Sequence, residues 1–360
     1  MSSVECKKQL YTFLTESQFI PCKIIVMPDL FLDRLINLDF GVAEFSRLIA
    51  DVAKRKGGSI DGITQTDLRG GNAVNVASAL VSLGIKVVPI VCTSPYGLQQ
   101  IKYHFRDTPI DTSHFKTCGA ASITTALEFK HQNEKTNVML RDLGALANFG
   151  PSNLDDSDYA LIDEAVYVCV FIWAGTLVHG TELAQAVFRR AKRGKAKTYY
   201  DTADPSPNTR GIAGLMEKVL KGDDLDVLAL NENEAVAYAS FLDEGLKLKK
   251  KSLNFTDLAM EAARILAKHL KARIDLHTTT FSATLRDQQE VVVPAFKVKT
   301  LRATGAGDAW TAGNLIGDAN QLSDQCRLML ANVVSACYLS DADGLHPTRP
   351  KLAAFLGVNS

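Results

Sequence analysis

From residue 158 onward the chain alternates short apolar runs with longer amphipathic ones, and this constrains the fold more than any other feature. Residues 166–171, 197–201, 226–230 and 273–276 read as strands, and 180–193 and 255–270 as helices. Strands separated by helices need crossover connections, so they lie parallel in one sheet with helices on both faces. Residues 23–27 and 86–91 extend the pattern toward the N-terminus. The expected fold class is α/β, a doubly wound, mostly parallel sheet. Such sheets bind ligands outside the carboxyl ends of their strands, so chemistry is to be sought in the loops that follow them.

The most informative of these loops is Thr300-Leu-Arg-Ala-Thr-Gly-Ala-Gly-Asp-Ala-Trp-Thr-Ala-Gly313, which follows a strand-like run over 291–298. Gly305, Ala306 and Gly307 leave the backbone open to an anion, and the helical spacing after Asp308 puts them at a helix N-terminus, where free amides and the macrodipole favour negative charge. Asp308 is then a carboxylate beside an anion site. That suits a base taking a proton from a hydroxyl that attacks a phosphoryl group. A helix start with an acid in its first turn uses the same letters.

Other loops carry candidates of the same kind. Asn231-Glu-Asn-Glu234 begins where a strand ends; Asn231 and Glu234 can hold Mg²⁺ through water near phosphates, or open an acidic helix. Asp201, Asp204 and Arg210 are candidate contacts to ligand or metal, in a Pro-rich loop that needs no ligand to explain it. Asp29 and Asp33 lie just past the first strand, where such sheets keep their ligand crevice; a solvated turn is the plainer reading for Asp29, and for Asp33 the two readings stand level. Arg69 to Gly84 is a glycine turn feeding a small-residue helix capped by Gly84, with Asn72 and Asn75 in the first turn as caps or as partners for a polyhydroxyl ligand. Residues 122–130 and 136–141 form a hairpin, either a flap over a site or a plain edge hairpin, and 39–68 suggest a small appended sheet. Residues 1–22 are a helix packed on the core or a mobile terminus, and Lys247 to Lys251 a solvated charge run.

Composition narrows the partners. Lys plus Arg and Asp plus Glu each number 40, so nothing electrostatic favours nucleic acid or a membrane surface. The seven cysteines are odd in number and scattered; they read as reduced core thiols of a cytoplasmic protein. No apolar run approaches the length of a bilayer span, and no signal-like N-terminus is present.

Gly70-Gly71-Asn72-Ala-Val-Asn75-Val-Ala-Ser-Ala-Leu-Val-Ser-Leu-Gly84, Asn231-Glu-Asn-Glu234 and Ala303-Thr-Gly-Ala-Gly-Asp308-Ala-Trp-Thr-Ala-Gly313 together resemble, in order, the signatures of the ribokinase-like carbohydrate kinases, the PfkB family, over roughly residues 23–356. The resemblance implies a ribokinase-like domain at 23–356 after an extension at 1–22, with a small β lid from about 33–68 and 118–146. It implies ATP- and Mg²⁺-dependent transfer to a hydroxyl of a sugar or polyol. Asp308 would be the base and Gly305, Ala306 and Gly307 the anion hole. Asp33, Gly71, Asn72 and Asn75 would bind the acceptor, and Asn231 and Glu234 the metal. Asn231, Thr279, Ser282, Thr304, Gly305, Gly307 and Asn332 would contact the nucleotide. A homodimer through the lid is a further implication. A nucleoside kinase, with Phe105, Phe115, Phe129 or Trp173 stacking a base, or a silent sugar- or nucleotide-binding regulator are the alternatives.

Three departures from the family pattern bear on this. Arg302-Ala303 stands where members usually carry the Asp of a monovalent-cation site, so K⁺ dependence is in doubt and a guanidinium is the candidate substitute. His277-Thr-Thr-Thr-Phe-Ser-Ala283 replaces a Gly-x-x-Gly loop, which unsettles nucleotide preference. Pro28 stands in the turn where a Gly is usual, removing a donor at the acceptor side.

Overall fold

The computed structural model describes residues 2–108, 110–131, 134–246 and 253–358. Its strands are β1 (Lys23–Met27), β2 (Phe31–Asn37), β3 (Thr64–Gly70), β4 (Lys86–Pro89), β5 (Cys92–Thr93), β6 (Lys116–Thr117), β7 (Ser122–His131), β8 (Glu134–Asp142), β9 (Tyr167–Phe171), β10 (Lys197–Asp201), β11 (Val227–Leu230), β12 (Arg273–His277), β13 (Phe281–Arg286) and β14 (Gln289–Pro294). The helices are α1 (Ser3–Thr15), α2 (Val42–Lys54), α3 (Asn72–Ser82), α4 (Pro95–His104), α5 (Asp156–Asp163), α6 (Gly180–Arg193), α7 (Ile212–Leu215), α8 (Glu232–Leu242), α9 (Phe255–His269), α10 (Ala306–Ala319), α11 (Asp324–Leu339) and α12 (Arg349–Val358).

The large sheet runs β14-β13-β12-β11-β10-β9-β1-β4. Pairing is parallel from β4 through β12 and antiparallel for β13 and β14. All of β9 and β11 is buried, as uninterrupted apolar strands covered on both faces must be. The chain leaves β1 toward β4 on one side and returns to β9 on the other, so the sheet's switch point lies between β1 and β9. A ligand crevice is expected outside the carboxyl ends of these strands.

A second sheet runs β3-β2-β7-β8, parallel between β2 and β7 and antiparallel elsewhere. Residues 39–68, expected as sheet, supply β3 but also α2. Val42, Phe45, Leu48, Ile49 and Val52 recur at helical spacing there, and that period prevails over the glycines beyond it. The strand expected over 291–298 stops at Pro294, where its pairing with β13 ends. The tip of the β7–β8 hairpin and the Lys247 to Lys251 run lie outside the described residues.

Of the two readings for the N-terminal segment, the helix on the core is the one observed. Cys6, Leu10, Phe13 and Leu14 of α1 are buried, and Arg349 donates to the carbonyls of Leu14 at 2.9 Å and Ser17 at 2.7 Å. Cys6 and Cys326 are joined as a disulfide, which corrects the expectation that all seven cysteines are reduced core thiols. Cys22, Cys92, Cys118, Cys169 and Cys337 are free, and Cys118 is exposed. The pair is separated by 320 residues, so no local spacing could announce it. Among the described residues no helix is long and apolar enough to cross a membrane.

Candidate active site

Gly305 adopts the left-handed region at φ 92° as the N-cap of α10. A side chain there would sit 2.6 Å from the Tyr338 hydroxyl, so both conformation and space call for glycine. The Ala306 amide donates to the Ala303 carbonyl at 3.1 Å. It is therefore committed to the turn, contrary to its expected place in the anion hole. The amides of Gly305 and Gly307 have no acceptor among the described residues, and they lie where the helix dipole favours an anion.

Asp308, in the same first turn, is 6% exposed. Its Oδ1 accepts from Asn72 Nδ2 and its Oδ2 from Asn75 Nδ2, both at 2.9 Å. The two asparagines sit one turn apart on α3, so a single helix face holds both carboxylate oxygens. Burial pushes the Asp308 pKa well above the ordinary carboxylate range; Asn75 and Asn72 oppose the shift, while the nearby carboxylates of Asp201 and Asp29 add to it. A carboxyl raised toward neutrality is a stronger base than one in water, which is what proton abstraction from an alcohol requires.

Sequence reasoning missed two of the residues that build this cradle. Asp29, read as a solvated turn, is fully buried and accepts from the Asn72 amide at 2.6 Å and the Ala73 amide at 2.9 Å. It caps α3 across 43 positions of sequence, and burial raises its pKa to about 6 against those two amides. Gly71, at φ 100°, brings the start of α3 so close to the Asp29 carbonyl that a Cβ would sit 2.9 Å from it. Arg69 donates to Asn75 Oδ1 at 3.2 Å and Ser78 Oγ at 2.8 Å. This orients the Asn75 amide with its NH₂ toward Asp308 and leaves Asn72 Oδ1 as the open acceptor of the pair. The only sequence signal was an arginine directly before two glycines.

Asp33 projects from β2, with its Oδ1 buried and without a partner. Burial raises its pKa against Thr124, Arg141 and Arg302. An unpaired buried carboxylate oxygen is an acceptor awaiting a donor.

A second set of acids follows β10 and β11. Asn231 and Glu234 form a reciprocal cap on α8: the Glu234 amide donates to Asn231 Oδ1 at 3.1 Å, and Asn231 N and Nδ2 donate to Glu234 at 2.9 and 2.7 Å. The acidic helix start is thus realised, with all the polar groups of Asn231 engaged. Glu234 is also buried, its pKa raised by burial and then by Asp201, and Asp201 is raised to about 6 by burial with Asp29 adding. The Thr202 and Tyr238 hydroxyls beside them are buried without partners. This uncompensated negative charge fits a hydrated divalent cation. Direct ligation does not fit, since among the described residues no three His, Cys, Asp or Glu converge on one point. Asp204 is exposed and accepts from Ser206 as a local turn, and Arg210 is exposed.

On the far side of α10 a cleft of about 230 Å³ is lined by Glu232, His277, Thr279, Phe296, Gly307 and Ser335, among others. Thr279 is exposed at its edge and donates its amide to Glu232 at 2.8 Å. Ser282 and Asn332 are tied to one another: Ser282 Oγ donates to Asn332 Oδ1 at 2.6 Å, Trp310 Nε1 donates to both, and Asn332 Nδ2 bonds the carbonyls of Val293 and Pro294, while Asn332 also lines the cleft. They form a buried network under the cleft. The Thr304 carbonyl accepts from Tyr338 at 2.8 Å. Phe105, Phe115, Phe129 and Trp173, the candidate base-stacking rings, are all core residues.

The fold and the order of these site elements are those of the ribokinase-like kinases. The model of the pfkB family of carbohydrate kinases matches residues 41–350, and the chain belongs to that family. An adenosine kinase from Sinorhizobium meliloti superposes with a TM-score of 0.70 at 16% identity, covering 95% of this chain and 100% of that one. An Arabidopsis thaliana ribokinase complexed with ribose and ATP gives 0.68 at 14%, covering 94% and 99%. A Methanocaldococcus jannaschii nucleoside kinase gives 0.66 at 14%, covering 95% and 100%. No curated protein matches the chain.

Proposed function

We propose that the protein transfers the γ-phosphoryl group of ATP to a hydroxyl of a sugar or sugar-like polyol, with Asp308 as general base. The observation that carries this is a buried, proton-avid carboxylate fixed by Asn72 and Asn75 in the same helix turn that presents the Gly305 and Gly307 amides. The acceptor O–H gives its proton to Asp308 as its oxygen attacks the γ-phosphorus, and ADP leaves. The Gly305 and Gly307 amides and the α10 dipole stabilise the charge that develops. Asp33, the backbone at Gly71, Asn72 and Asn75 position the acceptor, and the β3-β2-β7-β8 sheet acts as a lid that excludes water. Mg²⁺ bound with ATP would neutralise phosphate charge, held through water by Glu234 and Asp201.

Several finer readings follow. Thr279 and Thr304 contact the nucleotide from the cleft side, and Ser282 and Asn332 shape its floor. Arg302 replaces the acid of the monovalent-cation site, so transfer needs no K⁺. A sugar or polyol stands ahead of a nucleoside because the four candidate stacking rings are in the core. A silent regulator stands further back, since a binding protein gains nothing from a buried carboxylate beside an anion cradle. The exposed apolar residues Val138, Met139 and Leu140 on the edge strand β8 support a homodimer through the lid. The balanced charge supports small molecules rather than nucleic acid as partners.

A coupled phosphotransfer screen tests this, with ATP, ADP or GTP as donor and sugars, polyols and nucleosides as acceptors, with and without K⁺. Turnover with ATP and a sugar or polyol, unchanged on removal of K⁺, is expected. Nucleotide binding without turnover of any acceptor would overturn the catalytic reading.

A further inference from the structure

We propose that Cys92 and Cys118 form a dithiol modification site, oxidised to a disulfide by exchange with a low-molecular-weight disulfide, and that the bond restrains the lid. The effect on the lid rests on the transfer reading, which makes the small sheet a lid; the bond itself does not. Cys92 on β5 is buried and Cys118, directly after β6, is exposed, yet their sulfurs stand 3.0 Å apart. A disulfide closes at about 2.05 Å, so a shift of about 1 Å joins them. The backbone already sets this approach. Cys92 pairs with Lys116 and Thr93 with Thr117 in the parallel β5–β6 ladder, and the Cys118 amide donates to the Thr93 carbonyl at 3.2 Å.

The pair sits where the small sheet leaves the body of the fold. The Cys92 amide donates to the Pro28 carbonyl at 2.8 Å, in the turn that carries Asp29. Cys118 opens the strap 118–121 that runs into β7, and the hairpin returns to that same strap: the Ala145 amide donates to the Ala120 carbonyl at 2.9 Å, and Ser122 Oγ to the Leu143 carbonyl at 2.8 Å. With both sulfurs reduced, β5 and β6 contribute two residues each, a ladder too short to fix the strap by itself. A covalent bond there ties the stalk of the small sheet to the turn whose Asp29 caps α3.

The plainer reading is two packed thiols sharing a weak hydrogen bond. Packing accounts for Cys92 but not for Cys118, which is exposed. The contrast with Cys6 and Cys326 is instructive: both are fully buried, and their bond joins α1 to α11 as a fixture, whereas a pair with one exposed sulfur is open to exchange. Burial, and then the neighbouring Cys118, raise the pKa of the Cys92 thiol, so exchange opens at Cys118. Its thiolate attacks one sulfur of the external disulfide; a mixed disulfide forms and one thiolate leaves. Cys92 then gives its proton to water and attacks the Cys118 sulfur, expelling the second thiolate. Two protein thiols are oxidised to one disulfide, and the external disulfide is reduced to two thiols that take up the two protons released.

Equilibration of the full-length protein in glutathione buffers of graded redox ratio, followed by acid quenching and peptide mapping, tests the assignment. Oxidised glutathione should yield a linked pair of peptides carrying Cys92 and Cys118. As reduced glutathione is added, that bond should open before Cys6–Cys326 does, since exposed disulfides exchange more readily. In the linked protein hydrogen exchange at the 118–121 strap and the start of β7 should slow, turnover should fall as the lid loses freedom, and both should return on reduction. Cys118→Ser should abolish the linkage and both responses while keeping the turnover of the reduced wild type. Cys118 left as a stable mixed disulfide with glutathione, unchanged exchange in the linked protein, or a response that survives Cys118→Ser would overturn the proposal. Linkage and hydrogen exchange are read without turnover, so their appearance in a protein that transfers no phosphoryl group would count against the kinase reading alone.

Discussion

Helix α10 carries a buried carboxylate environment at each end, and the two are opposites. At its C-terminal end Asp318 accepts from Arg273 at 3.0 Å, Lys197 at 2.6 Å and Tyr167 at 2.6 Å. Neighbouring Asp275, fully buried, accepts from Arg273, Arg327, Asn314 and Thr284. Burial works against both charges, but the guanidiniums of Arg273 and, for Asp275, Arg327 overcome it and hold both carboxyls below their ordinary range. At the N-terminal end Asp308, Asp29 and Asp201 are as deeply buried, receive hydrogen bonds only from neutral amides, and are raised. The same residue type at the same depth is an anchor where cations meet it and a reagent where they do not.

The strongest way to break this contrast is Asp308→Asn. The amide keeps the shape and cannot take a proton, so turnover should fall by about 10²–10⁴-fold, with ATP binding retained in calorimetry and thermal stability no lower than wild type. Wild-type turnover would remove Asp308 from the chemistry; a large loss of stability would make it an anchor after all. Asp275→Asn is the mirror experiment. It leaves Arg273 and Arg327 facing a neutral group, and denaturant unfolding should show a loss of about 3–5 kcal/mol, the usual cost of breaking a buried ion pair from one side. An unchanged unfolding midpoint would mean that the network does not stabilise the fold.

How far these two environments could be read from sequence differs for the same reason. The strands Lys23–Met27 and Lys197–Asp201 and the helix Gly180–Arg193 were legible to the residue, because elements covered on both faces, or amphipathic over several turns, repeat their pattern locally. The Gly305 to Asp308 turn was legible because few purposes need two glycines and an acid there. Asp29 was not, since its role is to cap a helix 43 positions away; nor was Arg69, whose partners Asn75, Ser78 and His346 are gathered by the fold. Ser282 looked like a ligand contact because a hydroxyl has the same letter whether it faces a cleft or a tryptophan. The Asp275 and Asp318 network was invisible as a network for the same reason: its members come from β9, β10, β12, β13, α10 and α11.

The subtlest test uses pH. A carboxyl whose pKa is raised on folding binds its proton more tightly in the folded chain than in the unfolded one. Between the unfolded value, near 4, and the folded value of about 6 for Asp29 and Asp201, the folded state therefore holds more protons. Stability falls as pH rises through that window. Asp275 and Asp318 have the reverse sign: their contribution is present above the unfolded value and is lost only as pH falls below it. Thermal unfolding of the ligand-free protein should thus show a melting temperature that declines from about pH 4 to about pH 6. Asp201→Asn should flatten that limb without moving the fall at lower pH. A limb unchanged by Asp201→Asn would place the excess protons on other groups, and the contrast between the two ends of α10 would then rest on geometry alone.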